Sequence, residues 1–271
     1  MEKTFEKNSF SKRIKSMLKV DARRMFTIPF FYIMVGISLV VPILILVMTT
    51  MMDGTVSVDP NGNQTVMEGF DNVWQILGSV SASSSNMEQA GMRMDLVSMC
   101  NINMMYFAIA VLMCIFISDD FRSGYAKNLF TVRAKKTDYV LSKTVVCFIG
   151  SACMLLAFFI GSILGGAIAG LPFEMVGFNT GNLLASMLAK IFLSAIFVSI
   201  YTLMSVIAKQ KAWLALLLSF GVGMFLFNIA PMVAPLDANS INVLLCIVGG
   251  GLFSVGLGAI SNLVLKKTSL V

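Results

Sequence analysis

The chain has 271 residues and a formal net charge of +6, with 57% hydrophobic and 13% charged residues and a mean hydropathy of +0.85, a balance that excludes an ordinary soluble domain. The sequence contains no histidine, which excludes histidine general-base catalysis and histidine metal sites. The basic excess reads as the Lys and Arg that short loops keep on the inner side of a bilayer, with attraction to anionic lipid, and not as a nucleic-acid surface.

In chain order, residues 1–25 carry Phe10, Ile14, Met17, Leu18 and Met25 at helical spacing, with Lys12, Arg13, Lys15, Lys19 and Arg23 on the remaining surface. That pattern predicts a cytoplasmic amphipathic helix lying on the inner leaflet. Residues 26–271 then form a predicted six-helix transmembrane domain. About 20 apolar residues cross the hydrocarbon core, and the spans run from Phe26 to Thr49, Asn101 to Ser118, Val140 to Leu171, Leu183 to Ala208, Ala212 to Val233 and Ile241 to Leu265. The first run is too long and lacks the A-x-A site of a cleaved signal peptide. Continuous apolarity, without alternation, excludes an outer-membrane barrel. The fold class is an all-α integral membrane protein.

Between the first two spans, residues 51–99 form an extracellular loop or small cap. It opens on Asp59 to Asn63, a turn sequence, and carries a serine-rich run from Ser79 to Ser85. Met67, Phe70, Val73, Trp74 and Leu77 are spaced as one helical face that would rest on the bundle. Asn63-Gln64-Thr65 matches a glycosylation sequon, of meaning only in a eukaryotic secretory pathway. After the second span comes a charged island, Ser118 to Lys143. In it Phe121, Tyr125 and Leu129 form an i, i+4, i+8 apolar ridge with Arg122, Lys127 and Arg133 around it, the pattern of a helix that docks in a groove or lies on lipid.

Gly161, Gly165, Gly166 and Gly170 in the third span, and Gly250, Ser254, Gly258 and Asn262 in the sixth, let helices approach closely, within one subunit or at a dimer seam. Lys190 is the one charge well inside a predicted span. It snorkels toward the headgroups or faces a translocation path. Lys and Arg fall before the first span, after the second, between the fourth and fifth at Lys209 and Lys211, and at Lys266 and Lys267. Both termini are therefore predicted to be cytoplasmic. The five cysteines lie in or beside apolar spans and read as small core residues. The methionine clusters around Met48 and from Met87 to Met105 read as packing and not as a copper site. No metal site is expected. No G-x-x-x-x-G-K-[ST] occurs, so ATP-driven work needs a second polypeptide.

The charged island, taken with this topology, resembles that of permease subunits of type-2 ABC exporters. Asp120 stands where the family carries an acidic residue, usually Glu, four before Gly124. Lys127-Asn128-Leu129 fall in the short helix, Lys135 and Lys136 at the basic site, and Ser142-Lys143 before the third span. The stretch from Arg133 to Lys136 lacks the proline or aromatic often found there. The resemblance implies that residues 119–139 are a cytoplasmic coupling segment in which Asp120, Phe121, Gly124, Tyr125, Leu129 and Arg133 engage an ATPase. It further implies two ABC ATPase subunits that bind ATP and Mg, a second permease, identical or homologous, and a plasma-membrane location. The chain itself would be no enzyme and hold no cofactor. The expected activity is outward movement of a hydrophobic or amphipathic substrate, peptide or drug, by alternating access. The alternative is an immunity or sensor protein that binds an antimicrobial peptide without transporting it.

Overall fold

A computed structural model describes residues 10–58, 64–66, 69–80, 100–131, 135–227 and 229–267. Asn63, Met67, Arg133 and the methionines at 87, 92, 94 and 99 lie outside the described residues. The elements are helix α1 (Phe10–Thr27), α2 (Pro29–Met52), strands β1 (Val56–Val58) and β2 (Gln64–Val66), and helices α3 (Met105–Arg122), α4 (Tyr125–Thr131), α5 (Lys136–Ala169), α6 (Thr180–Ala208), α7 (Ala212–Phe227), α8 (Ala230–Val233) and α9 (Ser240–Lys267). Single turns of 3₁₀ helix cover Val73–Leu77 and Ile102–Met104.

Among the described residues five helical stretches are long and apolar enough to cross a membrane: α2, Ile102–Arg122, α5, α6 and α9. The predicted fifth span, Ala212 to Val233, is present in two pieces. At 16 residues, α7 measures about 24 Å at 1.5 Å per residue, short of the roughly 30 Å hydrocarbon thickness. Pro231, in the first turn of α8, has no N–H to continue a helix from α7. The predicted first span also begins later than expected, because Ile28 is extended and α2 starts at Pro29, where a missing N–H costs nothing.

Helices α3 and α6 are central, each with 67% of its span buried, whereas α9 has only 11% and α2 28%. The glycines of α5 explain how α2 sits so close: a Cβ on Gly161 would fall on the Leu39 carbonyl oxygen, and one on Gly165 would lie 2.8 Å from Ile43 Cα. Gly250 of α9 meets the Phe192 carbonyl of α6 in the same way, at 2.9 Å. Ser254 and Ser199 share a hydrogen bond at 2.8 Å beside it. These small residues therefore pack helices within one subunit.

The two ends of the bundle differ. One, the loop end, carries a two-stranded antiparallel ribbon with Val56 opposite Val66, so the structure adds a pair of strands to the expected all-α fold. The predicted helical face of the cap shrinks to the turn Val73–Leu77, in which Val73, Trp74, Ile76 and Leu77 are buried. Asn72 caps that turn by accepting from the Trp74 amide, and Trp74 Nε1 donates to the Phe173 carbonyl at 3.1 Å. The other, the basic end, gathers α1, α4, the α6–α7 link and the end of α9. There Lys136 Nζ donates to the Leu265 carbonyl at 2.6 Å.

Candidate functional site

At the basic end, charges from three helices meet inside the protein. Lys143, two turns into α5, places Nζ 2.9 Å from Asp21 Oδ1 and 2.7 Å from Asp120 Oδ2, and all three side chains are fully buried. Arg24 closes the group from α1 with Nη1 2.6 Å from Asp120 Oδ1. Tyr139 donates to Asp120 at 2.9 Å and Ser142 to Asp21 at 2.6 Å. Two cations thus face two carboxylates, so the cluster is neutral as a whole. Neutrality and the close pairing of opposite charges are what make buried ions tolerable, since an unpaired one retains several kcal/mol of desolvation cost.

Each contributor has a local reason to be there. Asp21 is four residues from Met17 and from Met25, and the buried face of α1 comprises these three. That face packs on the protein rather than on lipid, while Lys12, Lys15, Lys19 and Arg23 remain exposed. Asp120 sits in the last turn of α3, and Tyr139 and Lys143 lie one turn apart on α5. A second ion pair, Arg13 with Asp138 at 3.0 Å, fastens the start of α1 to the first turn of α5, where a carboxylate also favours the helix dipole.

The short helix α4 rests on this cluster. The Arg24 guanidinium lies 3.9 Å from the centroid of the Tyr125 ring, and Lys143 Nζ lies 5.9 Å from it, distances at which cation–π attraction acts. Burial, reinforced by Asp21, pushes the Tyr125 phenol above its ordinary pKa, so it stays neutral. Burial alone would lower the Arg24 pKa, but Asp120 outweighs it and holds the guanidinium charged. Phe130 packs edge-on against Tyr139 at 5.4 Å. Gly124 links α3 to α4 with φ of +76° and has nothing within 4 Å of where a Cβ would stand. Its need is therefore conformational, because the left-handed region is free only for glycine.

The expected apolar ridge is corrected by this geometry. Ser123 and Gly124 interrupt the helix between Phe121 and Tyr125, so no continuous i, i+4, i+8 row exists. Asp120 and Phe121 are buried, and Tyr125 and Leu129 are half-buried against the bundle. The outward surface of this region is made instead by Arg122, Lys127, Asn128 and Thr131.

Lys190 is likewise corrected. Its side chain neither snorkels nor faces an open path: it is buried, and Nζ donates to the Ala234 carbonyl after α8. The carbonyls at a helix end lack internal partners, and this one lies within reach. Lys143, expected to be a flanking charge, is equally enclosed. The partners Asp21, Arg24, Tyr139 and Asp138 were missed in the sequence. The available signal was a carboxylate, Asp21, standing on the apolar face of an amphipathic helix. Among the described residues no three His, Cys, Asp or Glu side chains assemble as a metal site.

No curated protein and no solved structure gives a significant match. A family model described as ABC-2 family transporter protein matches residues 27–228, which takes in α2 to α7 with Asp120 and Lys143. The chain belongs to the ABC-2 transporter family, as a membrane component of a transport system.

Proposed function

We propose that this chain is the permease subunit of an ATP-driven exporter, working with a second permease and two separate ABC ATPases that hold ATP and Mg. The basic end, holding most of the Lys and Arg, would face the cytoplasm with both termini, in a plasma membrane that α7 with α8 crosses as a sixth span. Residues 1–25 would serve as the interfacial helix and 119–139 as the coupling segment. The observation that carries the reading is the seat of α4: Tyr125 lies on Arg24, whose partner Asp120 is also the partner of Lys143.

A force applied to α4 would therefore reach α1, α3 and α5 through one set of buried charges. Asp120, Phe121, Tyr125 and Leu129 would act as the transmission, with Gly124 as its pivot. The exposed Lys127 and Asn128, with Arg133, would touch the ATPase. Closure of the ATPases on ATP would favour one of two bundle arrangements, since only a difference in affinity between states moves an equilibrium. A hydrophobic or amphipathic cargo, peptide or drug, suits an apolar path.

Lys127→Glu with Asn128→Trp should abolish co-purification of the ATPase while leaving the melting temperature unchanged. Tyr125→Ala should leave the ATPase bound but separate its hydrolysis from transport in vesicles. Full ATP-coupled transport in both variants would sink the proposal. Binding of a peptide without transport is a second reading, favoured by a wide cavity at the loop end. Accumulation of cargo in inside-out vesicles on adding ATP separates the two.

A further inference from the structure

The loop end contains a cavity of about 1180 Å³, above the usual range for a drug-sized ligand of roughly 300–1,000 Å³. Among the described residues three carboxylates line it, Asp53, Asp71 and Glu174, and no Lys or Arg does. Asp53 accepts from the Gly69 amide at 3.0 Å, but among the described residues no cation pairs with any of the three. Lys190 lies beneath, near Gly78, and is already engaged by the Ala234 carbonyl. Among the described residues, then, nothing neutralises the rim.

Asn103 gives the second, independent sign. It lines the same cavity, is 1% exposed, and both its side-chain oxygen and its side-chain nitrogen lack a hydrogen-bond partner. Buried amides are normally satisfied, and one left open in both senses needs an explanation. An amide that must accept and donate at once is matched by a peptide backbone, which offers both groups on one residue. Trp74, Phe178 and Leu236 supply apolar wall in the same cavity.

We infer that this cavity binds a cationic amphipathic peptide, with Asp53, Asp71 and Glu174 holding its ammonium or guanidinium groups and Asn103 pairing with its backbone. The inference deepens the transport reading by naming the cargo class and rests on that reading for its purpose. Its test does not, because binding at this face needs no ATPase.

The full-length chain is placed in nanodiscs of zwitterionic phosphatidylcholine without any ATPase. A short fluorescent peptide of alternating lysine and leucine is titrated in, with empty nanodiscs as the baseline and the same peptide bearing glutamate for lysine as control. Saturable binding of the lysine peptide alone is expected, weakened about tenfold by the combined Asp53→Asn, Asp71→Asn and Glu174→Gln, the sum of three exposed charge contacts. Asn103→Leu should also weaken it about tenfold by removing the amide pairing. Should Asn103→Leu fail to fold, the three exposed substitutions still decide the matter. Equal binding of the glutamate peptide, or undiminished binding by the triple variant, overturns the inference. If the transport reading alone is wrong, the ATPase fails to co-purify while peptide binding and its charge dependence persist.

Discussion

Lys143 Nζ and Asp120 Oδ2 stand 2.7 Å apart with neither side chain exposed, and this pair joins the end of α3 to the second turn of α5. Its worth lies less in the attraction than in the cost of breaking it. A buried ion pair can be matched by a hydrophobic replacement of both partners, whereas loss of one partner strands the other.

Lys143→Met should therefore cost about 3–5 kcal/mol, the range for removing one member of a buried pair. Adding Asp21→Asn restores neutrality and should recover part of that loss. Thermal melts of the detergent-solubilised single and double variants give the coupling. Simple additivity of the two losses would mean that the charges do not act as a unit.

Gly124→Ala has room for its methyl group but not for its backbone angle. It should cost about 1–2 kcal/mol, the penalty for an L-residue in the left-handed region. Amide exchange across Tyr125–Thr131 should speed up accordingly. Gly124→Asn should be milder, because asparagine tolerates that region better, and equal exchange in all three proteins would contradict the account.

At Gly161, substitution by Ala meets the Leu39 carbonyl, a backbone atom that cannot turn aside. Overpacking of this kind costs roughly 1–3 kcal/mol or more. Gly36→Ala is the matched control, since nothing lies within 4 Å of its Cβ position. It should be neutral or gain up to about 1 kcal/mol from helix propensity. Comparable melting of the two variants would argue against the close seat of α2 on α5.

Lys190→Met removes the donor to the Ala234 carbonyl and should destabilise by about 1–3 kcal/mol, the usual cost of leaving a buried polar group unsatisfied. The change should be felt nearby as faster exchange of the Leu236 amide, which bonds to the Ser79 carbonyl at 2.9 Å. Slow exchange at Leu236 together with unchanged stability would place Lys190 outside this structural role.

Much of the architecture was open to reading because a bilayer imposes a simple demand: long apolar runs must become helices that satisfy their own backbone. Hence the spans at α2, α3, α5, α6 and α9 were legible, as was the short helix after α3. The division of the fifth span was harder. Hydropathy runs unbroken from Ala212 to Val233, and only Pro231 hinted at the interruption. The ribbon of β1 and β2 flanks the turn sequence from Asp59 to Asn63, which gave the position of a turn but not the strands on either side.

The candidate site was only half legible. Asp120, Gly124 and Tyr125 stood out by spacing, yet their direction was misjudged, because periodicity tells which residues share a face and not which neighbour that face meets. By itself the sequence determined a membrane protein of apolar helices with its basic residues gathered in few loops, since those properties follow from composition along the chain. Only the tertiary structure decided that Asp21 and Arg24 would find Asp120 and Lys143, residues 96 to 122 positions away. Partners so distant in sequence are chosen by how α1 crosses α3 and α5, and burial then forces each charge to be answered by another.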